Sequence, residues 1–211
     1  MKAPERISGQ ALRIHPIAKE LFSATRERGY ATVGVEELLE RSGMSRAEFD
    51  DNFEGKTDLV ARVLEALTED IRERVGRAFD SVLVWPDNLR AAAYESARWI
   101  LANPGAVWFV MVGALGAPDA VLLRREEMFK WGVRMIDAGR ARAPDPQAVP
   151  VAAPVMAVGA IAETVRRQQE GSVEEDIVGA VANMMAAAVR PYLGAEAARR
   201  ELTIPPPADL S

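Results

Sequence analysis

The chain of 211 residues contains no cysteine and a single histidine, and aromatic residues make up only 6% of it. The absence of cysteine excludes a disulfide scaffold, a zinc finger and a cysteine nucleophile. With His15 as the sole histidine, neither a histidine-based metal cluster nor a Ser-His-Asp triad can be assembled. We therefore expect no metal and no cofactor, and we expect His15 to be a surface residue.

Long apolar runs are also missing from the sequence. The first residues contain no continuous apolar core of signal-peptide type, and no stretch reaches the roughly 18 apolar residues that suggest a membrane-spanning helix. We therefore expect a cytoplasmic protein with no membrane partner. An excess of basic charge is missing too, because the net charge is -5, which argues against a generally basic nucleic-acid coat. A local positive bias exists in residues 1–28, where six basic residues stand against three acidic ones.

What is present is apolar residues at helical spacing along the whole chain, with no segment of strand periodicity. The pattern predicts an all-α fold. A first helix ends at Gly29, and Pro16 either begins that helix or kinks it. Ser45 and Glu48 fit a capping box that starts a third short helix. With the preceding helix and the glycine-containing turn between them, this predicts an N-terminal three-helix domain with a helix-turn-helix.

The rest of the chain predicts a C-terminal helical domain. A long helix is expected from residue 58 to about residue 84, followed by helices up to residue 140, a loop at 143–150, and two helices over 151–170 and 173–192. The predicted domains are residues 1–57, residues 58–200, and a proline-rich disordered tail over 201–211.

The segment "ERGYATVGVEELLERSGMSRAEFDDNFEGKTDLV", with "LF" before it, resembles the N-terminal domain of the TetR family of transcriptional repressors over about residues 13–64. The resemblance implies a homodimer with two helix-turn-helix heads that read successive major grooves of a double-stranded DNA operator. It also implies a C-terminal bundle that dimerises and binds a small-molecule effector. The expected function is a ligand-responsive transcriptional regulator of the repressor type, released from its operator by a small, apolar effector.

The residues expected to contact DNA lie on or next to the third helix. They are Ser45, Arg46, Ala47, Asp50, Asp51, Asn52 and Lys56. Families of this type usually place a tyrosine where this chain has Asp50, and a histidine or tyrosine at Asn52. Because Phe49 and Phe53 form the inward stripe, the acidic residues point outward. We expect the phosphate contacts from Lys2, Arg6, Arg13, Arg46 and Lys56; alternatively, the helix residues only cap and solubilise the helix.

Two further sets of residues are candidates for binding. An apolar effector cavity is expected from Tyr94, Arg98, Trp99, Trp108, Met111, Met128, Trp131 and Met135, with ordinary core packing as the alternative for each single residue. A dimer interface is expected from Met156, Ile161, Val165, Ile177, Val181, Met184, Met185 and Val189, with burial inside one chain as the alternative.

Three functional classes remain: the regulator, a regulator-like protein that binds a ligand or protein partner but not DNA, and an all-helical enzyme. The enzyme is the weakest, because the C-terminal half offers no convergent acid-base or nucleophilic groups.

Overall fold

The computed structural model describes residues 7–172 and 176–210 and is all-helical, with 79% of the residues in helices and no strand in the part described. The α-helices are α1 (Gly9–Ile14), α2 (Pro16–Arg28), α3 (Val35–Ser42), α4 (Arg46–Asn52), α5 (Lys56–Asp80), α6 (Asp87–Ala102), α7 (Pro104–Met111), α8 (Asp119–Asp137), α9 (Ala153–Gln169) and α10 (Ile177–Glu201). The all-α prediction is confirmed.

Local signals set the ends of the first helices. The helix restarts at Pro16, which is the first residue of α2, and the His15 side chain caps it by accepting a hydrogen bond from the amide of Ile17 at 3.3 Å. His15 is half-buried, and its side chain caps a helix rather than pointing freely into solvent. Gly29 ends α2 with φ of 82°, a conformation that glycine adopts without steric cost.

The later helices run close to the predicted ranges, with two differences. α10 does not end near residue 192 but continues past Pro191 to Glu201, with a break at Gly194, where φ is 81°. Its predicted start at residue 173 lies outside the described residues. The tail after α10 also differs from the predicted disorder, because it forms a short 3-10 turn at Ala208–Leu210.

By length and composition alone, α10 is long and apolar enough to cross a membrane, contrary to the expectation that no stretch would be. This is weak evidence, since core helices of soluble proteins pass the same test and 39% of the apolar window is buried inside the chain. The buried side chains of α10 include Val181, Met185 and Val189.

The chain divides into two compact units whose boundary differs from the predicted one at residue 57. The first unit contains the chain up to Asp70 together with Pro104–Glu127, and the second contains Ile71–Asn103 and the chain from Met128 onward. α5 is continuous through the predicted boundary. In the first unit α7 packs against α2, with the rings of Phe22 and Phe109 5.1 Å apart.

Candidate DNA-contacting surface and ligand-contacting residues

The turn between α3 and α4 presents one side of α4 to solvent. Gly43 ends α3 in the left-handed conformation, with φ of 72°, and the Ser45 hydroxyl caps α4 by accepting from the amide of Glu48 at 3.2 Å. Phe49 and Phe53 are buried, as predicted, with ring centroids 5.2 Å apart. The exposed side of α4 therefore carries Ala47, Asp50 and Asp51.

The surface of α3 and α4 is strongly acidic. Residues 35–54 contain two arginines and seven acidic residues, a net charge of -5 that equals the charge of the whole chain. Such a charge opposes the sequence-independent attraction to phosphate.

Arg46, a predicted DNA contact, is held by acids of its own domain. Its guanidinium pairs with Glu36 of α3, and its Nη1 lies 3.6 Å from Oδ1 of Asp50, one turn further along α4. Arg46 is half-exposed, so these contacts can exchange for a phosphate, but the exchange breaks two ion pairs that are already formed.

Arg41, the other arginine of this surface, joins α3 to α2. Its guanidinium donates to Glu20 at 2.7 Å, to both oxygens of Glu27 at 2.8 and 2.9 Å, and to the Ser23 hydroxyl at 3.1 Å. The hydrogen bonds from Arg41 and Ser23 lower the pKa of Glu27 to about 2. Arg41 therefore fixes α3 against α2, and all three of its guanidinium nitrogens donate hydrogen bonds within the chain.

Asn52, one of the predicted DNA contacts, is buried and does not lie on the exposed side of α4. Its side chain is 7% exposed, and both ends of the amide are used internally: Oδ1 accepts from the amide of Ile7 at 2.7 Å, and Nδ2 donates to the carbonyl of Glu48 at 2.8 Å. Arg62 of α5 donates to the carbonyl of Ile7 at 2.8 Å and to that of Asn52 at 2.5 Å. Together Asn52 and Arg62 clamp the backbone of Ile7 at the end of α4.

Lys56 is likewise a structural residue. Its ammonium donates to the carbonyls of Tyr30 at 2.7 Å and Val33 at 2.8 Å and lies 4.1 Å from the centroid of the Tyr30 ring. Partial burial lowers the pKa of Lys56. A phosphate contact would require the ammonium to leave the loop that it holds, so the structure does not support its prediction as a free phosphate donor.

Of the remaining cations that were expected to bind phosphate, Arg13 of α1 pairs with Asp70 of α5. Both side chains are largely buried. Lys2 and Arg6 lie outside the described residues.

The eight residues predicted to line an effector cavity are divided between the two units. Trp108 and Met111 lie on α7 in the first unit, where the Arg26 guanidinium stands 5.4 Å from the centroid of the Trp108 ring. The other six are in the second unit: Tyr94, Arg98 and Trp99 on α6, and Met128, Trp131 and Met135 on α8.

Their surroundings within the second unit differ. Tyr94 and Trp99 are buried, and burial raises the pKa of the Tyr94 hydroxyl. Trp131 lies against Gly76 of α5, since its ring is 4.0 Å from the position of a β-carbon there. The guanidinium of Arg98 is occupied by acids of the same chain, Glu95 and Asp209.

The eight residues predicted at a dimer interface also separate into two groups. Val165, Ile177, Val181, Met185 and Val189 are at most 5% exposed in the single chain, so they pack in its own core and are unavailable to a partner. Met156 is 71% exposed, and Ile161 and Met184 line a groove of about 170 Å³ between α9 and α10. The rest of the groove is lined by Ala157, Ala160, Thr164, Ala180, Asn183 and Ala187.

Several residues that organise these regions were not predicted from the sequence. No local sequence pattern indicates the role of Arg62, because its carbonyl partners are 10 and 55 residues away. The ion pair between Glu37 and Arg41 could have been predicted, because opposite charges four residues apart on a helix are neighbours.

Among the residues that the structure describes, no group of three or more His, Asp and Glu side chains could hold a metal ion. No protein-family model matches the chain, and no curated protein or solved structure matches it.

Proposed function

We propose that the protein is a transcriptional regulator of the helix-turn-helix type, related to the TetR family, whose DNA contact is made by α4. The observation that carries the proposal is the turn from Gly43 to Ser45, which joins α3 to a capped α4 and leaves Ala47, Asp50 and Asp51 on the surface. This is the side chain arrangement that a recognition helix requires for reaching base edges.

The acidic surface gives this DNA binding a particular character. Carboxylates repel phosphates, and two like charges about 4 Å apart repel by about 1 kcal/mol in bulk water. A carboxylate also accepts a hydrogen bond from the amino group of cytosine in the major groove. Asp50 or Asp51 thus acts as a reader that rejects wrong sequences, and non-specific binding is weak.

The C-terminal helices supply dimerisation and effector binding in this proposal. The apolar groove between α9 and α10, bordered by Ile161 and Met184, supports a contact with a second copy of the chain. Five of the expected interface residues are internal, so the contact is built from the exposed side of these helices, including Met156. Light scattering that shows a monomer at micromolar concentration would contradict the dimer.

The effector is proposed to contact the aromatic residues of α6 and α8, Trp99 and Trp131. It acts only if it binds one conformation of the regulator better than the other. A panel of hydrophobic compounds should change tryptophan fluorescence and the melting temperature. If only highly charged metabolites do so, the effector is not apolar.

A second candidate function, a regulator-like protein that no longer binds DNA, is favoured by the state of the cations. Both arginines of residues 35–54 are paired with acids, Lys56 is bonded to two carbonyls, and Asn52 is buried. In that case the acidic surface is free for another partner.

Selection from a pool of random duplexes with the purified protein separates the two functions. Enrichment of a defined sequence supports the regulator, and the half-site spacing reports whether a dimer binds. If repeated rounds enrich nothing while the protein remains folded, the second candidate function is the correct one.

A further inference from the structure

The last residue of α10, Glu201, and the segment that follows it, Leu202–Leu210, are held on α6 by two arginine–carboxylate pairs of the same geometry, one at each end of the segment. Arg90 donates through Nε and Nη2 to the two oxygens of Glu201, both at 2.8 Å. Arg98 donates through the same two nitrogens to the oxygens of Asp209, at 2.8 and 2.9 Å. The arginines are eight residues apart on α6 and the acids eight residues apart in the chain. Each pair is the two-point contact with which arginine recognises a carboxylate.

The two pairs differ in their exposure to solvent. The side chains of Arg90 and Glu201 are 16% and 4% exposed, whereas those of Arg98 and Asp209 are 34% and 62% exposed. Burial alone would lower the pKa of Arg90, but its hydrogen bonds with Glu201 and Asp87 outweigh burial and raise it. Breaking this pair leaves the buried carboxylate of Glu201 without its partner, so the pair is a fixed anchor. Exposed pairs change an equilibrium by about five-fold or less, so the Arg98–Asp209 contact opens readily.

Once Asp209 leaves, the acidic contact that Arg98 keeps among the described residues is a weak one with Glu95, whose Oε2 is 3.4 Å from its Nη1. The fork formed by Nε and Nη2 is then free, and these are the atoms that had bound the carboxylate. A guanidinium positioned in this way can donate the same two hydrogen bonds to any carboxylate of matching geometry.

We propose that Arg98 is a carboxylate-binding site that the chain's own Asp209 occupies, and that Leu202–Leu210 is a strap displaced by an amphipathic monocarboxylate. The ligand's carboxylate replaces that of Asp209 at the fork, and its apolar part replaces strap residues that are half-buried on the protein. These strap residues are Ile204, Pro206, Pro207 and Leu210. The inference rests on the proposed binding of an effector by the C-terminal helices but not on DNA binding.

The strap sets the concentration at which a ligand competes. A tethered group acts at an effective concentration in the millimolar range, so a small carboxylate displaces it only at millimolar concentrations or above. Removing the charge of Asp209 removes the competitor, and the ligand then binds up to about five-fold more tightly.

The test is a titration with hexanoate, and 1-hexanol serves as the neutral analogue of equal chain length. Binding is observed through the NMR resonance of the Arg98 Nε–H group. The parent, Asp209→Asn and Glu196→Gln are compared. Glu196 is a matched control, because it is an exposed acid near the end of α10 that pairs only weakly with Arg200, at 3.4 Å. No DNA is present, so the outcome is independent of the regulator function.

The expected result is a hexanoate-dependent shift of the resonance at millimolar ligand, a two- to five-fold lower Kd for Asp209→Asn, and no change of Kd for Glu196→Gln. Because the chain has no cysteine, a dye on Ser211→Cys reports the strap, and its anisotropy should fall on adding hexanoate. The proposal is wrong if Asp209→Asn and the parent bind hexanoate equally, or if 1-hexanol shifts the resonance as hexanoate does.

Discussion

Replacing Glu36 with glutamine and Asp50 with asparagine would free Arg46 from both of its acidic partners. The Glu36 pair and the 3.6 Å approach of Asp50 are then lost, and the net charge of residues 35–54 changes from -5 to -3. A freed arginine adds about one phosphate contact. The plot of log K against log salt concentration should then steepen by about 0.9. Between 50 and 200 mM salt, this corresponds to about a three- to four-fold greater loss of affinity.

The measurement is fluorescence anisotropy of a labelled random-sequence duplex over a series of salt concentrations. The control variant, Glu73→Gln with Glu196→Gln, changes the net charge equally but removes partners of Arg77 and Arg200, on α5 and α10. If the slope of the Glu36 and Asp50 variant matches that of the parent, Arg46 does not contact phosphate. If the control variant steepens the salt dependence equally, the effect comes from the overall charge of the protein and not from α4.

Three further predictions concern stability. Lys56→Met should lower the free energy of unfolding by about 2 kcal/mol, since two carbonyls lose a charged donor, and urea denaturation measures this loss. Gly139→Ala should cost about 1–3 kcal/mol, because a β-carbon there would lie 2.4 Å from the Trp85 ring, and the loss appears as a lower melting temperature. Because the pKa of Glu27 is lowered from 4.5 to about 2, the stability from its contact with Arg41 is present above pH 4.5 and is lost as the pH falls through about 2. Glu27→Gln should therefore flatten the pH dependence of the urea midpoint in that range.

Each of these three expectations has a contrary outcome. A Lys56→Met protein within 0.5 kcal/mol of the parent, on the order of ordinary surface substitutions, would show that the loop is held by other contacts. Gly159→Ala in α9 is the control for Gly139, because nothing lies within 4 Å of its β-carbon position. Equal melting temperatures for the two alanine variants would contradict the clash with Trp85. An unchanged acid slope in Glu27→Gln would show that other carboxylates control acid unfolding.

The features that could be predicted from the sequence are those whose cause is local. Pro16 starts α2, Gly29 ends it, and Gly43 and Ser45 form the turn before α4, all through backbone geometry or bonds spanning a few residues. The cap formed by His15 is equally local, although His15 was expected only as a surface residue. The helical spacing of apolar residues is equally local, which is why the all-α class could be predicted.

The features that could not be predicted depend on distant partners. Asn52 looked like a base-reading residue, but the amide that it binds is 45 residues away, and Lys56 binds carbonyls 26 and 23 residues away. The tail looked disordered because its proline content is typical of disorder, while the arginine that holds Asp209 is 111 residues earlier.

Helices that are apolar on several sides left a further ambiguity. On α9 and α10 the sequence shows apolar residues around much of the circumference, so periodicity does not indicate which side is internal. Val165 and Val181 proved to be internal, whereas Met156 is exposed.

The loop at residues 143–150 is held from outside its own sequence. Arg140, in the 3-10 turn after α8, donates to the carbonyls of Pro146 at 3.1 Å, Val149 at 2.8 Å and Pro150 at 3.4 Å, and Asp137 orients its guanidinium. Every amino acid supplies the same carbonyl group, so these three contacts depend on Arg140 and not on the identity of the loop residues. Within the loop the Asp145 side chain adds contacts of its own, because its Oδ1 accepts from the amides of Gln147 at 3.0 Å and Ala148 at 3.3 Å. Substitutions at the exposed positions 146 and 150 therefore leave the contacts with Arg140 in place, whereas the loss of this single arginine removes all three and should make the end of the loop more susceptible to proteases.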